Sequence, residues 1–167
     1  MDQRILLFSD LHIHTHKNSL QRLQDCLDVL RWAFDTARKK NAKDVIFLGD
    51  LFHDRQKISV IAYHSAFQIF QEYRDLRINL LLGNHDLWFY DKWDISSVEP
   101  LSAMDNVRVI AKPCTLDVAG LKVDFLPFTH DPVSVVNDHF KDKSSLLCAH
   151  IAVDDATLNE LHSTKSE

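Results

Sequence analysis

The chain's 167 residues suffice for a hydrophobic core, and 46% hydrophobic with 26% charged residues is ordinary for a globular protein. The net charge of −5 argues mildly against a nucleic-acid partner, although a site that holds two divalent cations also needs acidic ligands. Cys26, Cys114 and Cys148 lie far apart without C-x-x-C spacing, which favours reduced, buried thiols over a disulfide framework or a zinc site.

The N-terminal sequence MDQRILLFSD carries an acid at position 2 and lacks the basic start and small-residue cleavage site of a signal peptide. No apolar run approaches the length of a membrane-spanning helix. We therefore expect a cytoplasmic protein that does not interact with membranes.

Short apolar runs alternate with amphipathic segments along the chain. The predicted elements are a strand at 4–9, a helix at 20–40, a strand at 44–49, a helix at 59–74, a strand at 78–83, a helix at 95–104, a strand at 107–110, a hairpin at 115–127, a helix at 131–141 and a strand at 145–149. This alternation with unbroken apolar strands indicates an α/β fold whose parallel strands are covered on both faces. No repeat or linker divides the chain, so we expect a single domain over residues 1–167.

Polar side chains that can bind a metal or carry a proton follow four of these strands. They are Asp10 and His12 after the first strand, Asp50 and His53 after the second, Asn84 and His85 after the third, and His150 after the last. The carboxyl ends of parallel strands are where open α/β sheets bind ligands. If the four strands are parallel neighbours, these side chains converge on one pocket.

Glycine is scarce, and its placement supports a site at this edge. The chain has three glycines, and Gly49 and Gly83 directly precede Asp50 and Asn84. Glycine is needed where a backbone turns sharply or where another group approaches it closely.

The residue types at the strand ends indicate the metal chemistry. Carboxylate, amide and imidazole groups without a thiolate suit Mn²⁺, Fe²⁺ or Zn²⁺, with Mg²⁺ as a further candidate, in sites of five or six ligands. The set exceeds what one ion needs. We predict two ions about 3.5–4 Å apart that share a carboxylate, an arrangement suited to in-line attack on phosphorus.

The order of these motifs resembles that of the calcineurin-like metallophosphoesterases, whose series is D-x-H, G-D, G-N-H-D and a strand that ends in His. In this chain the series reads Asp10-Leu11-His12, Gly49-Asp50, Gly83-Asn84-His85-Asp86 and His150. The resemblance implies a layered β core flanked by helices, with a dimetal site at the strand C-termini.

Within that superfamily, the segment GDLFHDRQKIS at 49–59 is similar to SbcD-type DNA-repair nucleases. This closer resemblance implies Mn²⁺-supported exo- or endonucleolytic hydrolysis of DNA. It also implies an SMC-like ATPase as a partner subunit, and a homodimer is a further expectation.

The resemblance also implies a role for each residue. Asp10, His12 and Asp50 would hold the first ion, and Asp50, Asn84 and His150 the second, so that Asp50 bridges the two. A water activated by the ions would attack the phosphorus. His85 would protonate the leaving oxygen, and His53 would position the phosphate. Asp86 would accept a hydrogen bond from His85 and fix its tautomer.

The sequence departs from the resemblance at its end, because it contains no G-H-x-H, the last motif, which supplies one further histidine to each ion. We therefore expect a fragment or one half of a split protein, a partner chain that supplies the ligands, or a fold with weak or no catalysis, and we favour the first. A phosphatase or small-molecule phosphodiesterase and a non-catalytic binding or scaffold module stay open as alternatives to the nuclease.

Three other segments allow two interpretations each. SDLHIHT at 9–15 also resembles the D-x-H-x-H opening of the PHP phosphoesterases, in which His14 would bind metal; the later motifs favour the first family, so we expect His14 and His16 to be solvated. The aromatic segment LWFYDKW at 87–93 suits base stacking or a dimer contact as well as plain packing. His130 and Asp131 either line a substrate groove or form the turn before a helix.

Overall fold

The computed structural model describes residues 4–17, 19–90, 92–141, 144 and 146–152, together with the backbone of two short strands nearer the C-terminus. The elements are β1 Ile5–Phe8, α1 Leu20–Lys39, β2 Asp44–Phe47, α2 Val60–Glu72, β3 Arg77–Leu81, a 3₁₀ segment Glu99–Ala103, β4 Val107–Ile110, β5 Cys114–Val118, β6 Leu121–Leu126, α3 Pro132–His139, β7 Leu146–Ala149, β8 Thr157–Asn159 and β9 His162–Ser163. None of the helices in these residues is both long and apolar enough to cross a membrane.

Two sheets form the centre of the molecule. The first is fully parallel, with the strand order β1-β2-β3-β4. The connections from β1 to β2 and from β2 to β3 contain α1 and α2, since a parallel pair needs a long crossover. In the second sheet, β5 and β6 form the predicted antiparallel hairpin and β7 pairs with β6 in parallel.

The strand that precedes His150 is therefore not a neighbour of the other three strands, so the four strands are not the parallel neighbours on which the predicted convergence depended. β7 lies in the second sheet, next to β6. The site can form only if the ends of the two sheets meet.

Two apolar clusters hold three layers together. The first lies between the helices and the first sheet and includes Leu30, Phe34, Ile69 and Phe70, none more than 1% exposed. The second lies between the two sheets and includes Ile46, Leu81, Ile110, Val123 and Phe125. Successive residues of a strand point to opposite faces, which is why the neighbours of Ile46 on β2 contribute to the first cluster instead. The result is the predicted layered β core, with helices on the outer face of the first sheet.

One predicted helix is mostly absent. Of residues 95–104, only Glu99–Ala103 are helical, and they form a 3₁₀ turn. The amides of Leu101 and Met104 donate to carbonyls three residues back, and β4 starts at Val107, so there is no room for another turn.

The three cysteines are free. Cys148 is buried as expected, whereas Cys26 and Cys114 are half-buried.

Candidate dimetal centre

The chain segments that follow β1 and β2 continue side by side beyond the strands. The amide of Asp10 donates to the carbonyl of Gly49 at 3.0 Å, and the amide of His12 donates to the carbonyl of Asp50 at 3.0 Å. These contacts place the side chains of Asp10 and His12 next to that of Asp50.

All three of these residues have left-handed backbone conformations. The φ angles are 59° at Asp10, 47° at His12 and 62° at Asp50. A non-glycine residue in this region costs about 1–3 kcal/mol, and such strain is concentrated at functional sites.

Two glycines allow the segments after β2 and β3 to touch. Gly49 has a φ of 104°, and a Cβ there would lie 2.6 Å from the nitrogen of Gly83 and 2.7 Å from Nδ1 of His150. A Cβ on Gly83 would lie 2.6 Å from the backbone nitrogen of Asp50. No side chain fits at these distances, which confirms that both glycines serve a close approach.

His150 reaches this edge from the second sheet. Its amide donates to the carbonyl of Leu126 at 3.1 Å, and the amide of Phe128 donates to the carbonyl of Leu82 at 2.9 Å. Nδ1 of His150 lies 2.7 Å from the carbonyl oxygen of Leu48. A carbonyl can only accept, so Nδ1 carries the proton and Nε2 turns its lone pair toward the site.

The carboxylate of Asp50 lies at the centre of the cluster. Its Oδ1 accepts a hydrogen bond from the amide of His85 at 2.8 Å. Its Oδ2 lies 3.6 Å from Nε2 of His12 and 3.5 Å from Nε2 of His150. Nε2 of His12 also lies 3.7 Å from Oδ1 of Asp10.

These separations fit bound cations better than direct hydrogen bonds. Nitrogen–oxygen hydrogen bonds are about 2.7–3.2 Å long. Two ligand atoms that each lie about 2.1 Å from one ion are at most about 4.2 Å apart. Asp10, Asp50 and His150 also form a group whose ligand atoms all lie within 4.8 Å of one another.

The amide of Asn84 has two orientations with different consequences. In the first, Oδ1 lies 3.0 Å from Nε2 of His150, so that acceptor faces acceptor. In the second, the nitrogen donates to Oδ2 of Asp50 at 3.3 Å and to Nε2 of His150 at 3.0 Å, and the oxygen accepts from Arg55 at 3.3 Å. The second orientation satisfies hydrogen bonds between protein groups. In the first, the lone pairs of Asn84 Oδ1, His150 Nε2 and Asp50 Oδ2 face one region, as the ligands of a cation do.

His12 is suited to the same chemistry. Burial lowers the pKa of its imidazole, and the opposing effect of Asp50 does not reverse the shift. The neutral ring required of a metal ligand is therefore favoured. Its Nδ1 is buried and has no hydrogen-bond partner among the residues that the structure describes. The five predicted ligands thus come together in a set that fits two divalent ions, and their role as ligands stays a prediction.

Two further imidazoles border this set. The rings of His53 and His85 stack with centroids 5.5 Å apart, and His85 meets the ring of His12 edge-on at 4.9 Å. Nδ1 of His85 lies 2.5 Å from the carbonyl oxygen of His53, so this carbonyl fixes the tautomer and leaves Nε2 free. The side chain of His53 is exposed at the mouth of the site.

Among the described residues, the carboxylate of Asp86 accepts no hydrogen bond from the imidazole of His85, so the prediction that it fixes the tautomer of His85 was wrong. The side chain is fully buried, and its Oδ2 accepts from the amides of Asp50 at 2.8 Å and Gly83 at 2.9 Å. Its Oδ1 accepts from the amide of Leu51 at 3.0 Å. Burial raises the pKa of the Asp86 carboxyl to about 6, against the three amides, which favour the anion. Asp86 therefore joins the segments after β2 and β3.

His14 is not the solvated residue that we expected. Its Nε2 lies 3.1 Å from Oδ2 of Asp54, and its ring packs 4.8 Å from that of His16. His16 itself is exposed. Because His14 faces Asp54 and not Asp50, the ligand set of a PHP phosphoesterase is not formed.

Arg55 is a candidate functional residue for which, as for Lys57, the sequence allowed contact with a DNA backbone but favoured a solvated side chain. Its guanidinium lies 4.2 Å above the ring of Tyr90. It also reaches Asn84 at 3.3 Å in one of the two amide orientations. The only sequence signal is its position two residues after His53. A planar cation with several donors beside the proposed ligands is suited to a phosphate.

A comparison with protein families decides the classification. The model of the calcineurin-like phosphoesterase family matches residues 3–164. The chain belongs to the calcineurin-like phosphoesterase family. This membership confirms the predicted fold class and the broader resemblance.

Among curated proteins, this calcineurin-like phosphoesterase is similar to exonuclease subunit 1 of Enterobacteria phage T4. The two are 29% identical over 126 residues, which cover 73% of this chain and 37% of the phage protein. The chain thus spans much less than the whole length of this relative.

Solved structures with a similar fold include a protein of unknown function from Aquifex aeolicus, with a TM-score of 0.50, 16% identity, and coverage of 87% of this chain and 77% of that one. Nuclease MPE from Pseudomonas putida gives a TM-score of 0.49 and 19% identity, covering 78% of this chain and 55% of that one. An archaeal phosphodiesterase gives a TM-score of 0.47 and 18% identity, covering 80% of this chain and 64% of that one. At 16% identity, the similarity to the Aquifex aeolicus protein concerns the fold alone.

Proposed function

We propose that this calcineurin-like phosphoesterase hydrolyses phosphodiesters with two divalent ions and that its substrate is DNA, as in the SbcD-type nucleases that it resembles. One observation carries the proposal. Oδ2 of Asp50 lies within 3.6 Å of imidazole nitrogens that reach it from two different sheets. A carboxylate so placed is suited to bridging two ions.

The proposed ligands divide into two sets that share Asp50. Asp10 and His12 complete the first set, and Asn84 and His150 complete the second. When bound, two divalent ions, which we propose to be Mn²⁺, activate a water and polarise the phosphate for in-line attack.

The imidazoles beside the ligands suit proton transfer and phosphate positioning. His85 has its Nδ1 directed to the carbonyl of His53, so the imidazolium form, with one proton held against that carbonyl, presents its second proton at Nε2 to the leaving oxygen and becomes the neutral imidazole on giving it up. The exposed ring of His53 stacks on that of His85 and suits contact with a phosphate at the mouth of the site.

The proposal of DNA as substrate draws on the relatives. Exonuclease subunit 1 of phage T4 matches 73% of this chain, and its name describes both a nuclease and a subunit. We therefore propose a partner subunit as well, of the SMC-like ATPase type. A homodimer and a cytoplasmic location belong to the same proposal.

The test compares the wild type with Asp50→Asn on three substrates: a labelled DNA oligonucleotide, bis(p-nitrophenyl) phosphate and p-nitrophenyl phosphate. Loss of the shared ligand should lower Mn²⁺-dependent cleavage by about 100-fold or more, beyond the usual effect of disturbing an outer contact. Asp25→Asn, an exposed acid on α1, is the matched control and should leave the rate unchanged.

The outcomes separate the alternatives. Cleavage of the aryl diester without cleavage of DNA would support a small-molecule phosphodiesterase, and cleavage of the monoester alone a phosphatase. No turnover of any substrate in Mn²⁺ would support a binding or scaffold role. Full activity of Asp50→Asn would contradict the proposed site.

A further inference from the structure

We infer that an aromatic cavity beside the proposed metal centre binds one unpaired base of a DNA strand. This inference rests on the proposed function, because it assumes that DNA is the substrate of the neighbouring metal centre. The cavity has a volume of about 240 Å³. Its walls are Tyr90, Trp93, Phe128, Thr129, His130 and Asp131. We call it the aromatic cavity.

The aromatic cavity borders the proposed ligands directly. The ring of Phe128, at its base, lies 6.2 Å from the ring of His150. Arg55 lies between the two places, with its guanidinium 4.2 Å above the ring of Tyr90 and 3.3 Å from the side-chain amide of Asn84, a contact that is a hydrogen bond only in the orientation that turns the Asn84 oxygen away from the proposed metals. The base of a nucleotide whose phosphate contacts Arg55 would therefore lie next to the cavity.

The walls are suited to a flat aromatic ligand. Phe128 is only 5% exposed, and its carbonyl accepts from the indole nitrogen of Trp93 at 2.8 Å, so both rings are fixed. Tyr90 is 44% exposed and lies 4.3 Å from the ring of His130, at an angle of 47°. Pre-positioned aromatic side chains of this kind stack single-stranded bases with little sequence preference.

The acidic side chain of the aromatic cavity favours a base over a phosphate. Asp131 contributes a carboxylate whose Oδ1 already accepts from the amide of Ser134 at 3.0 Å and so caps α3. A carboxylate repels phosphate, whereas it accepts hydrogen bonds from the N–H groups of bases, among them the ring N3–H of thymine. Positive charge lies instead at Arg55, on the side of the proposed metals.

The experiment measures binding without cleavage, by fluorescence anisotropy in a buffer with EDTA. The probes are a labelled pentathymidylate and an abasic strand of the same length, which has the same phosphates and no bases. The wild type should bind the thymidine strand about 5-fold or more tightly than the abasic strand. Tyr90→Ala and His130→Ala should each reduce this ratio toward 1.

Trp88→Ala and Phe89→Ala are the matched controls, since both rings are exposed in the same segment and neither lines the cavity. They should keep the wild-type ratio. Equal affinity of the wild type for both strands, no binding of either strand, or an unchanged ratio in both cavity variants would overturn the inference.

Failure of this inference is distinguishable from failure of the proposed function. Mn²⁺-dependent hydrolysis with an unchanged binding ratio would overturn the base site alone. A ratio that depends on Tyr90 and His130 in a chain without turnover would uphold the base site and contradict the hydrolase.

Discussion

Asp50, His85 and His150 share one design at the residue scale: one polar atom contacts the backbone and the other faces the site. Oδ1 of Asp50 accepts from an amide, and Nδ1 of His150 and of His85 each lie against a carbonyl. The remaining atom of each side chain is thereby oriented before any ligand arrives. Such preorganisation reduces the cost of arranging the reacting groups.

Replacement of His85 by alanine tests its proposed role in proton transfer. His85→Ala should retain Mn²⁺ affinity, because its side chain is not among the proposed ligands, and should lower the rate by about 10²- to 10⁴-fold. Calorimetry with Mn²⁺ and the aryl diester assay measure the two effects. His64→Ala, an exposed histidine on α2, should change neither. Unchanged turnover in His85→Ala would remove the assignment.

Replacement of Asp86 by alanine tests its role in joining two loops. The substitution leaves three buried amides without their acceptor, and an unpaired buried donor costs about 1–3 kcal/mol. We expect the free energy of unfolding in urea to fall by about 3 kcal/mol or more. The exposed acid Asp105 provides the control, with an effect of about 0.5 kcal/mol or less for Asp105→Ala. Similar losses in both variants would refute this role.

The sequence predicted the positions of the candidate residues better than their contacts. Asp10, Asp50, Asn84 and His150 were identifiable because side chains able to bind a metal follow four apolar strands at the same end. The contact of Asp86 was not, because its amide partners at Asp50 and Leu51 lie 36 and 35 residues away. The left-handed backbone conformation of Asp50 was not predictable from the sequence either, since aspartate adopts other conformations as well.

At the scale of elements, the strands and long helices were predictable because their apolar periodicity is strong. Sheet membership was not. The run before His150 is as apolar as the other strands, yet it forms β7, which pairs with β6 in the second sheet. Only one face of β7 packs against the first sheet, and Leu147, on the other face, is 48% exposed. A longer helix was predicted where only the 3₁₀ turn Glu99–Ala103 forms. The start of β4 at Val107 limits the length of this turn, and that limit is not visible in the local sequence.

Asp124 holds the second sheet together. The side chain is 4% exposed, and it accepts from the hydroxyls of Thr115 and Ser144, each at 2.6 Å. It thereby links β5, β6 and the segment that leads into β7. Burial alone would raise the pKa of Asp124, but the hydrogen bonds from Ser144 and Thr115 outweigh it and lower the pKa.

This lowered pKa predicts how the stability depends on pH. Because the folded pKa lies below the unfolded value of about 3.9, the anion stabilises the fold above that pH, and the contribution is lost as the pH falls through the folded pKa. Asp124→Asn should lower the free energy of unfolding by about 1–2 kcal/mol at pH 7, and less near pH 3. Asp138→Asn, exposed on α3, is the control. A deficit that is the same at both pH values would contradict the assigned cause.

At the scale of the whole molecule, the candidate site depends on the packing of two sheets. The contact between His150 and the carbonyl of Leu48 joins residues 102 positions apart. Phe128 and Leu82 make a second connection between the sheets, next to it. The family resemblance predicted that such a site exists, but only the packed layers show that Gly49 must lack a side chain for His150 to fit.

The central claim is that Asp50 joins two cations, and anomalous diffraction from crystals soaked in Mn²⁺ tests it most directly. We expect two anomalous peaks about 3.5–4 Å apart, both in contact with Asp50, with Asp10 and His12 beside one and Asn84 and His150 beside the other. Absence of any peak at Asp50 under saturating Mn²⁺, or manganese bound only elsewhere on the chain, would contradict the claim.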